Sequence, residues 1–236
     1  MIYSIIQKSQ LEGGHRLDAE YYQPEYLKIG NLLKKSKIIS DVANTYDLQS
    51  NGAFAQIFTI LNDNNEKIVP YIRSENVGDF FINTNDLAFI SKEAHSKLSK
   101  TQTRLEDVVM ARKGRIGGAT LITQDAIDFN SNDNIVNIKI RDKQQLDPYY
   151  FTTFFNSSIG IKQIERFATG NVQPWLSMFQ LRSLKIFIPP IARQLEIRRI
   201  IKEAFVYIDK SKFFYSEAED MFLEELGLSS FAKATE

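Results

Sequence analysis

The chain has 236 residues, and its 29 Lys and Arg balance 29 Asp and Glu, leaving no net charge. That length holds one sizeable domain, or one domain with an appended element, and the 43% hydrophobic and 25% charged shares fit an ordinary globular protein. Zero cysteines exclude a disulfide framework and a thiolate metal site; with no apolar run near the roughly 18 residues of a membrane span, the expected location is the cytoplasm, away from any membrane.

The pattern predicts a mixed α+β fold: a globular domain over residues 1–190, one long helix over 191–228 and a frayed tail over 229–236. A polar lead comes first, then a short helix near Tyr22–Lys37 with Pro24 in its first turn. Short strand-like runs broken by turn residues follow from Ile38 to Pro190. They are Gln56–Leu61, Ile68–Ile72, Asp86–Ile90, Val108–Ala111, Ala119–Thr123, Ile135–Ile140 and Leu184–Ile188, with Asn62 to Asn65 as a turn. One helix interrupts them from Pro148 to Phe167, capped by Asp147, with Phe151, Phe154, Phe155, Ile159 and Ile164 on its apolar side. Pro189-Pro190 marks the boundary with the long helix.

That helix runs from Ile191 to Leu226 without Pro or Gly, about 50 Å at ~1.5 Å per residue. Ile201, Ile208, Tyr215 and Phe222 fall seven apart, and so do Ile197, Ala204, Ser211 and Ala218 between them. Such spacing is the seam of a coiled coil, and its small second row lets a partner helix approach closely. No other helix in the chain has comparable length, so the expected mate is a second copy. Phe205, Phe214 and Met221 widen the stripe, and a helix folded back on its own domain is the alternative.

The usual catalytic signatures are missing. There is no phosphate-cradling loop, no dinucleotide fingerprint and no nucleophile elbow. His15 and His95 stand apart without ligand spacing, and Asp125 and Asp128 read as turn residues. Asp147-Pro148-Tyr149-Tyr150 superficially resembles the Asn/Asp-Pro-Pro-Tyr loop of amino-methyltransferases, but it lacks the second proline and a preceding glycine-rich loop. A helix start explains it better. No catalytic residue, metal or cofactor is expected.

The zero net charge hides an uneven distribution. Lys92, Lys97, Lys100, Arg104, Arg112, Lys113 and Arg115 face only Glu93, Glu106 and Asp107 within their segment, while Glu217, Glu219, Asp220, Glu224 and Glu225 crowd the far end of the helix. The most distinctive run, Glu106 to Ile122, is a strand, a turn with Gly114, Gly117 and Gly118, and a second strand. Glycines let backbone approach a phosphate or adopt positive φ, and guanidinium groups grip phosphate or guanine. A tight hairpin with merely solvated cations is an equal reading.

Arg16–Tyr26, Pro70–Val77, Glu106–Gly117, Gly170–Leu176 followed by Leu184–Pro190, and Arg193–Ile197 form an ordered set over nearly the whole chain. Together these stretches resemble the specificity subunits of Type I restriction–modification systems. Members of that family usually carry two recognition domains and two long antiparallel helices, whereas this chain shows one of each. The resemblance implies a non-catalytic subunit that binds half of a bipartite site in double-stranded DNA. It also implies a homodimer whose helices, through Ile197, Ile201, Ala204, Ile208, Ser211, Tyr215, Ala218 and Phe222, set the gap between half-sites. Arg193, Arg198, Arg199 and Lys202 would dock a methyltransferase subunit, with a restriction subunit as a further candidate partner; S-adenosylmethionine and ATP belong to those partners. The expected DNA contacts are Arg112, Lys113 and Arg115, then Lys97, Lys100 and Arg104, with Arg73 as an outside candidate, and the amides of Asn171 and Gln173 reading adenine. Two other classes compete. One is a coiled-coil adaptor that binds protein only. The other is a small cytoplasmic α/β enzyme, against which the poverty of His, Cys and paired carboxylates weighs.

Overall fold

The computed structural model describes residues 4–11, 17–78, 80–114, 116–170 and 174–228. The predicted frayed tail and His15 lie outside them. In chain order the regular elements are α1 (Pro24–Leu32), β1 (Lys37–Ile38), α2 (Ile39–Val42), β2 (Ala43–Tyr46), α3 (Phe54–Leu61), β3 (Lys67–Ile72), β4 (Ala88–Ser91) and α4 (Lys92–Lys97). Then come β5 (Val108–Ala111), β6 (Thr120–Leu121), β7 (Asn130–Ser131), β8 (Ile135–Ile140), α5 (Pro148–Asn156), α6 (Ser158–Phe167), α7 (Met178–Arg182), β9 (Lys185–Ile186) and α8 (Ile191–Glu225). The mixed α+β class therefore holds.

Strands β2-β8-β5-β6 form one antiparallel sheet, and β4-β3-β7 form a second in which β7 runs parallel to β3. β1 pairs with β9, Lys37 opposite Ile186, and ties the entry of the domain to the segment just before α8. All four residues of β5 are buried, because the strand has a core on each side. Val108 and Met110 face the main core with Val136, Ile138, Phe151, Phe155 and Leu181. Val109 and Ala111 face a smaller one with Ile72, Val77 and Ile122.

Two predicted elements differ. Gln56–Leu61 forms a helix rather than a strand, because Ile57, Ile60 and Leu61 share one face that packs on Leu48, Tyr71 and Leu98. The single helix from Pro148 to Phe167 is two. Ser157 adopts extended backbone, and its hydroxyl accepts the Gly160 amide at 3.3 Å, capping α6.

The long helix is pinned at its root. Gln194 is fully buried. Its Oε1 accepts the Asp147 amide at 2.9 Å, and its Nε2 donates to the carbonyls of Gln145 and Pro189 at 3.0 and 2.8 Å. One turn on, Arg198 pairs with Asp147 at 2.8 Å and Glu106 at 2.6 Å, and its guanidinium lies 4.6 Å over the Tyr149 ring. Phe205 then packs on Phe80 and Phe81, with centroids 5.1 and 4.3 Å apart. Beyond it, every residue from Val206 to Phe222 is exposed. The helix stops at Gly227 in the left-handed region, with the Leu228 amide donating to Leu223 at 2.8 Å and Gly227 to Glu224 at 2.9 Å.

Gly160 offers a test of the α5–α6 corner. A Cβ there would lie 2.4 Å from the Phe154 carbonyl oxygen and 2.5 Å from the Phe155 Cα, with no flexible atom to yield. Gly160→Ala should therefore lower stability by at least about 2 kcal/mol in urea denaturation; an unchanged midpoint would contradict this packing.

Candidate nucleic-acid interface

β5 ends at Ala111 and delivers Arg112 and Lys113 into the glycine-rich turn. The Arg112 amide donates to the Asn134 carbonyl at 2.8 Å, and its Nε donates to the Asp133 carbonyl at 3.1 Å. Its Nη2 lies 3.6 Å from Asp47, with both side chains only about a tenth exposed (10% and 11%). Arg112 thus shapes the turn from within rather than reaching outward, which departs from its expected place as the first outward contact. Lys113 is more open, and its Nζ meets Asp133 at 3.2 Å. Gly114, Gly117 and Gly118 have φ of 80°, 100° and 79°, a region costly for side chains. Nothing crowds Gly117, so conformation rather than space requires glycine there. The turn returns at Ala119, whose carbonyl accepts Asn156 Nδ2 at 2.8 Å.

The second candidate segment lies beside this turn. Lys113 and Trp175 form an antiparallel bridge, and the Leu176 amide donates to the Arg112 carbonyl at 2.8 Å. Thr169 and Trp175 exchange both backbone hydrogen bonds, at 2.9 and 3.0 Å. Arg112–Lys113 at the start of the glycine turn and Trp175–Leu176, some sixty residues apart in the chain, therefore form one edge. Arg115, Asn171 and Gln173 lie outside the described residues.

A second group of cations sits around α4. Lys97 pairs with Glu93 at 2.6 Å, and Arg104 pairs with Asp128 and donates to Gln102 at 3.0 Å. The turn at Leu48–Asn51 links the groups. Asp47 before it faces Arg112, while Asn51 Oδ1 accepts the Lys100 amide at 2.9 Å. Arg73 is tied to Glu75 at 2.9 Å and to the Asp86 carbonyl at 2.8 Å. The exposed pairs contribute little, roughly 0–1 kcal/mol each, so exchanging a carboxylate for a phosphate there is inexpensive.

Three titrating groups lie beneath this surface. Burial raises the Asp107 carboxyl above the usual range although Lys139 is 3.5 Å away, and burial lowers the His95 imidazole. Burial also pushes the Tyr71 phenol up, with Asp133 adding to the effect.

Of the seam residues, Ile197 packs against the main core and Ile201 is half-buried, whereas Ala204, Ile208, Ser211, Tyr215, Ala218 and Phe222 are exposed. The expected docking cations are partly committed. Arg198 is held by Asp147 and Glu106, Arg193 by Glu196, and Arg199 by Glu203 at 3.0 Å. Lys202 lies 5.4 Å over Tyr149.

Among the described residues no three His, Asp or Glu side chains gather as a metal site, and no helix is long and apolar enough to cross a membrane. Among the described residues, an opening of about 580 Å³ near the N-terminal segment is lined by Ile6, Leu11, Leu17 and Tyr22 together with Glu20. Sequence reasoning missed Asp47, Asp133, Asn156 and Trp175. The first three are ordinary polar residues whose partners are distant in sequence. Trp175 carried a visible signal, being the single tryptophan.

Residues 32–210 match the family described as Type I restriction modification DNA specificity domain. Among solved structures the chain is similar to the S subunit of a Type I restriction–modification system from M. genitalium. The identity is 12% and the TM-score 0.50, over 80% of this chain and 43% of that one. It is also similar to the HsdS subunit from Thermoanaerobacter tengcongensis, at 12% identity and a TM-score of 0.49, over 88% of this chain and 49% of that one. The chain thus spans just under half the length of each, and at this identity the likeness concerns the fold. No curated protein matches.

The two cations at the turn should respond differently to removal. Arg112→Met leaves Asp47 without its buried partner and should cost about 3 kcal/mol. Lys113→Met removes a half-exposed pair and should cost less than about 1 kcal/mol. Urea denaturation of both variants checks this; equal losses would show that Arg112 does not hold the turn.

Proposed function

The chain belongs to the family of Type I restriction modification DNA specificity domains, and from that premise we propose that it reads one half of a bipartite duplex site and docks a methyltransferase subunit. The observation that carries the reading is the single edge built from the cationic glycine turn and the segment ending at Trp175. Lys113 beside that edge, and Lys97, Lys100 and Arg104 around α4, supply charge for phosphates; Arg73, Arg115, Asn171 and Gln173 are further contact candidates. Positive side chains fix position on the duplex, while base edges give selectivity. Methyl transfer and cleavage, with S-adenosylmethionine and ATP, are assigned to partner subunits, and this chain takes no catalytic part.

The same reading gives the long helix a second copy as its mate. Supporting this, the apolar stripe beyond Phe205 is bare over Ile208, Tyr215 and Phe222. Charge supports an antiparallel arrangement. The exposed end carries Glu217, Glu219, Asp220, Glu224 and Glu225, whereas Lys202, Lys210 and Lys212, with Glu203 and Asp209, lie nearer the root. Parallel pairing would stack the acidic ends on one another, whereas antiparallel pairing of the exposed stretch carries each acidic end toward the partner's lysine-bearing half. Because Ile197 and Ile201 are partly covered by their own domain, the contact runs from Ala204 to Phe222, about 27 Å. Two reading edges would then sit at fixed separation on a two-fold axis.

Duplex binding in the presence of the methyltransferase partner, measured across a salt series, tests the first part. Each phosphate contact should add roughly −0.9 to the log–log slope, and a flat slope with no preference among sequences would overturn the reading. For the second part, Ala204→Glu with Ala218→Glu should convert dimers to monomers in sedimentation, and an unchanged mass would contradict it.

A further inference from the structure

Trp175 is the chain's only tryptophan and is 42% exposed. Burying an indole is among the larger apolar gains open to a fold, so an exposed one on a stiff frame calls for a physical reason. The frame is stiff here. Trp175 exchanges two backbone hydrogen bonds with Thr169, at 2.9 and 3.0 Å, and the next residue donates to the Arg112 carbonyl at 2.8 Å. The strand it abuts is held in turn, because Arg112 is buried against Asp47 and the Asp133 carbonyl. Trp175 is also the direct cross-strand partner of Lys113. Cross-strand partners project from the same face of a ribbon, with Cβ atoms about 5 Å apart. A rigid apolar plate and a half-exposed ammonium thus leave the edge together.

We propose that Trp175 is a DNA-contacting residue of this edge, its indole packing on a base or sugar face of the half-site while Lys113 takes the adjacent phosphate. The inference rests on the DNA-reading function proposed above and adds a residue and a mode of contact to it. Flat aromatic faces suit this task because every nucleobase offers a π surface, and the fixed backbone lowers the ordering cost of the contact. Lys113 exchanges Asp133 for a phosphate across open surface, a substitution of like for like.

The experiment uses the full chain and the duplex that the wild type retains from a randomised pool. Because the tryptophan is single, its emission reports on this position alone. Titration with the retained duplex should shift or quench the emission and cut access to acrylamide. Trp175→Ala should raise the Kd about tenfold or more with the salt slope unchanged, and Trp175→Phe should recover most of the loss. Lys113→Met should instead reduce the slope by about 1. If the wild type retains duplex while its indole emission does not change and Trp175→Ala binds as well, the inference fails and the DNA reading stands. If the wild type retains no duplex either alone or with the methyltransferase partner present, the DNA reading fails and takes the inference with it; if it retains duplex only with the partner, the Kd of Trp175→Ala in that complex decides, an unchanged value overturning the inference. Should Trp175→Ala misfold, the wild-type emission and Trp175→Phe decide the matter.

Discussion

Two side chains one turn apart, Gln194 and Arg198, hold the long helix to the domain, and both converge on Asp147. That residue also caps α5 through its contact with the Tyr150 amide at 3.0 Å. Arg198 reaches onward to Glu106, which stands two residues before β5 with φ of 64°. One guanidinium therefore links the start of α5, the start of the strand that carries the cationic turn, and the root of the helix. Removing either carboxylate would leave a partly buried cation short of a partner, which is why such nodes are costly to alter. The Tyr149 ring beneath Arg198 and the aromatic contact of Phe205 with Phe80 and Phe81 extend the grip by two further turns.

The rigidity of the edge at Lys113 and Trp175 has its source in β5. A strand buried on both faces cannot slip register without exchanging its residues between two differently shaped cores and drawing Asp107 or Arg112 into one of them. Its exit point is therefore fixed, and Arg112 extends that order one residue into the turn. The glycines follow only after this anchored stretch. Asn156 closes the turn by bonding the Ala119 backbone.

How much of this was legible depended on whether the signal was local. β5 and β8 match the expected Val108–Ala111 and Ile135–Ile140, the first an unbroken apolar run and the second rich in β-branched residues, each between polar turns. The long helix was readable from Pro189-Pro190 and Gly227, and the seven-residue spacing located its exposed apolar stripe. Gln56–Leu61 was ambiguous, since so short an apolar run fits either period, and contact with Tyr71 and Leu98 decided for helix. The break at Ser157 was concealed by apolar residues on both sides, although a serine three before a glycine was in view. β1, β2 and β7 exist because of their partners, not their composition. At the candidate site the sequence identified the turn but could not separate Arg112 from Lys113. What separates them is Asp47, sixty-five positions away.

The bare stretch of α8 from Val206 to Glu225 is a lever about 30 Å long, fixed at one end. A lever magnifies small rotations, and a 6° tilt at the root displaces the far end by about 3 Å, close to the 3.4 Å step between stacked base pairs. Under the proposed function, angular play at the Asp147–Arg198–Glu106 node would be converted into error counted in base pairs. Stiffness at that joint, more than the length of the rod, would govern how strictly a spacing is enforced.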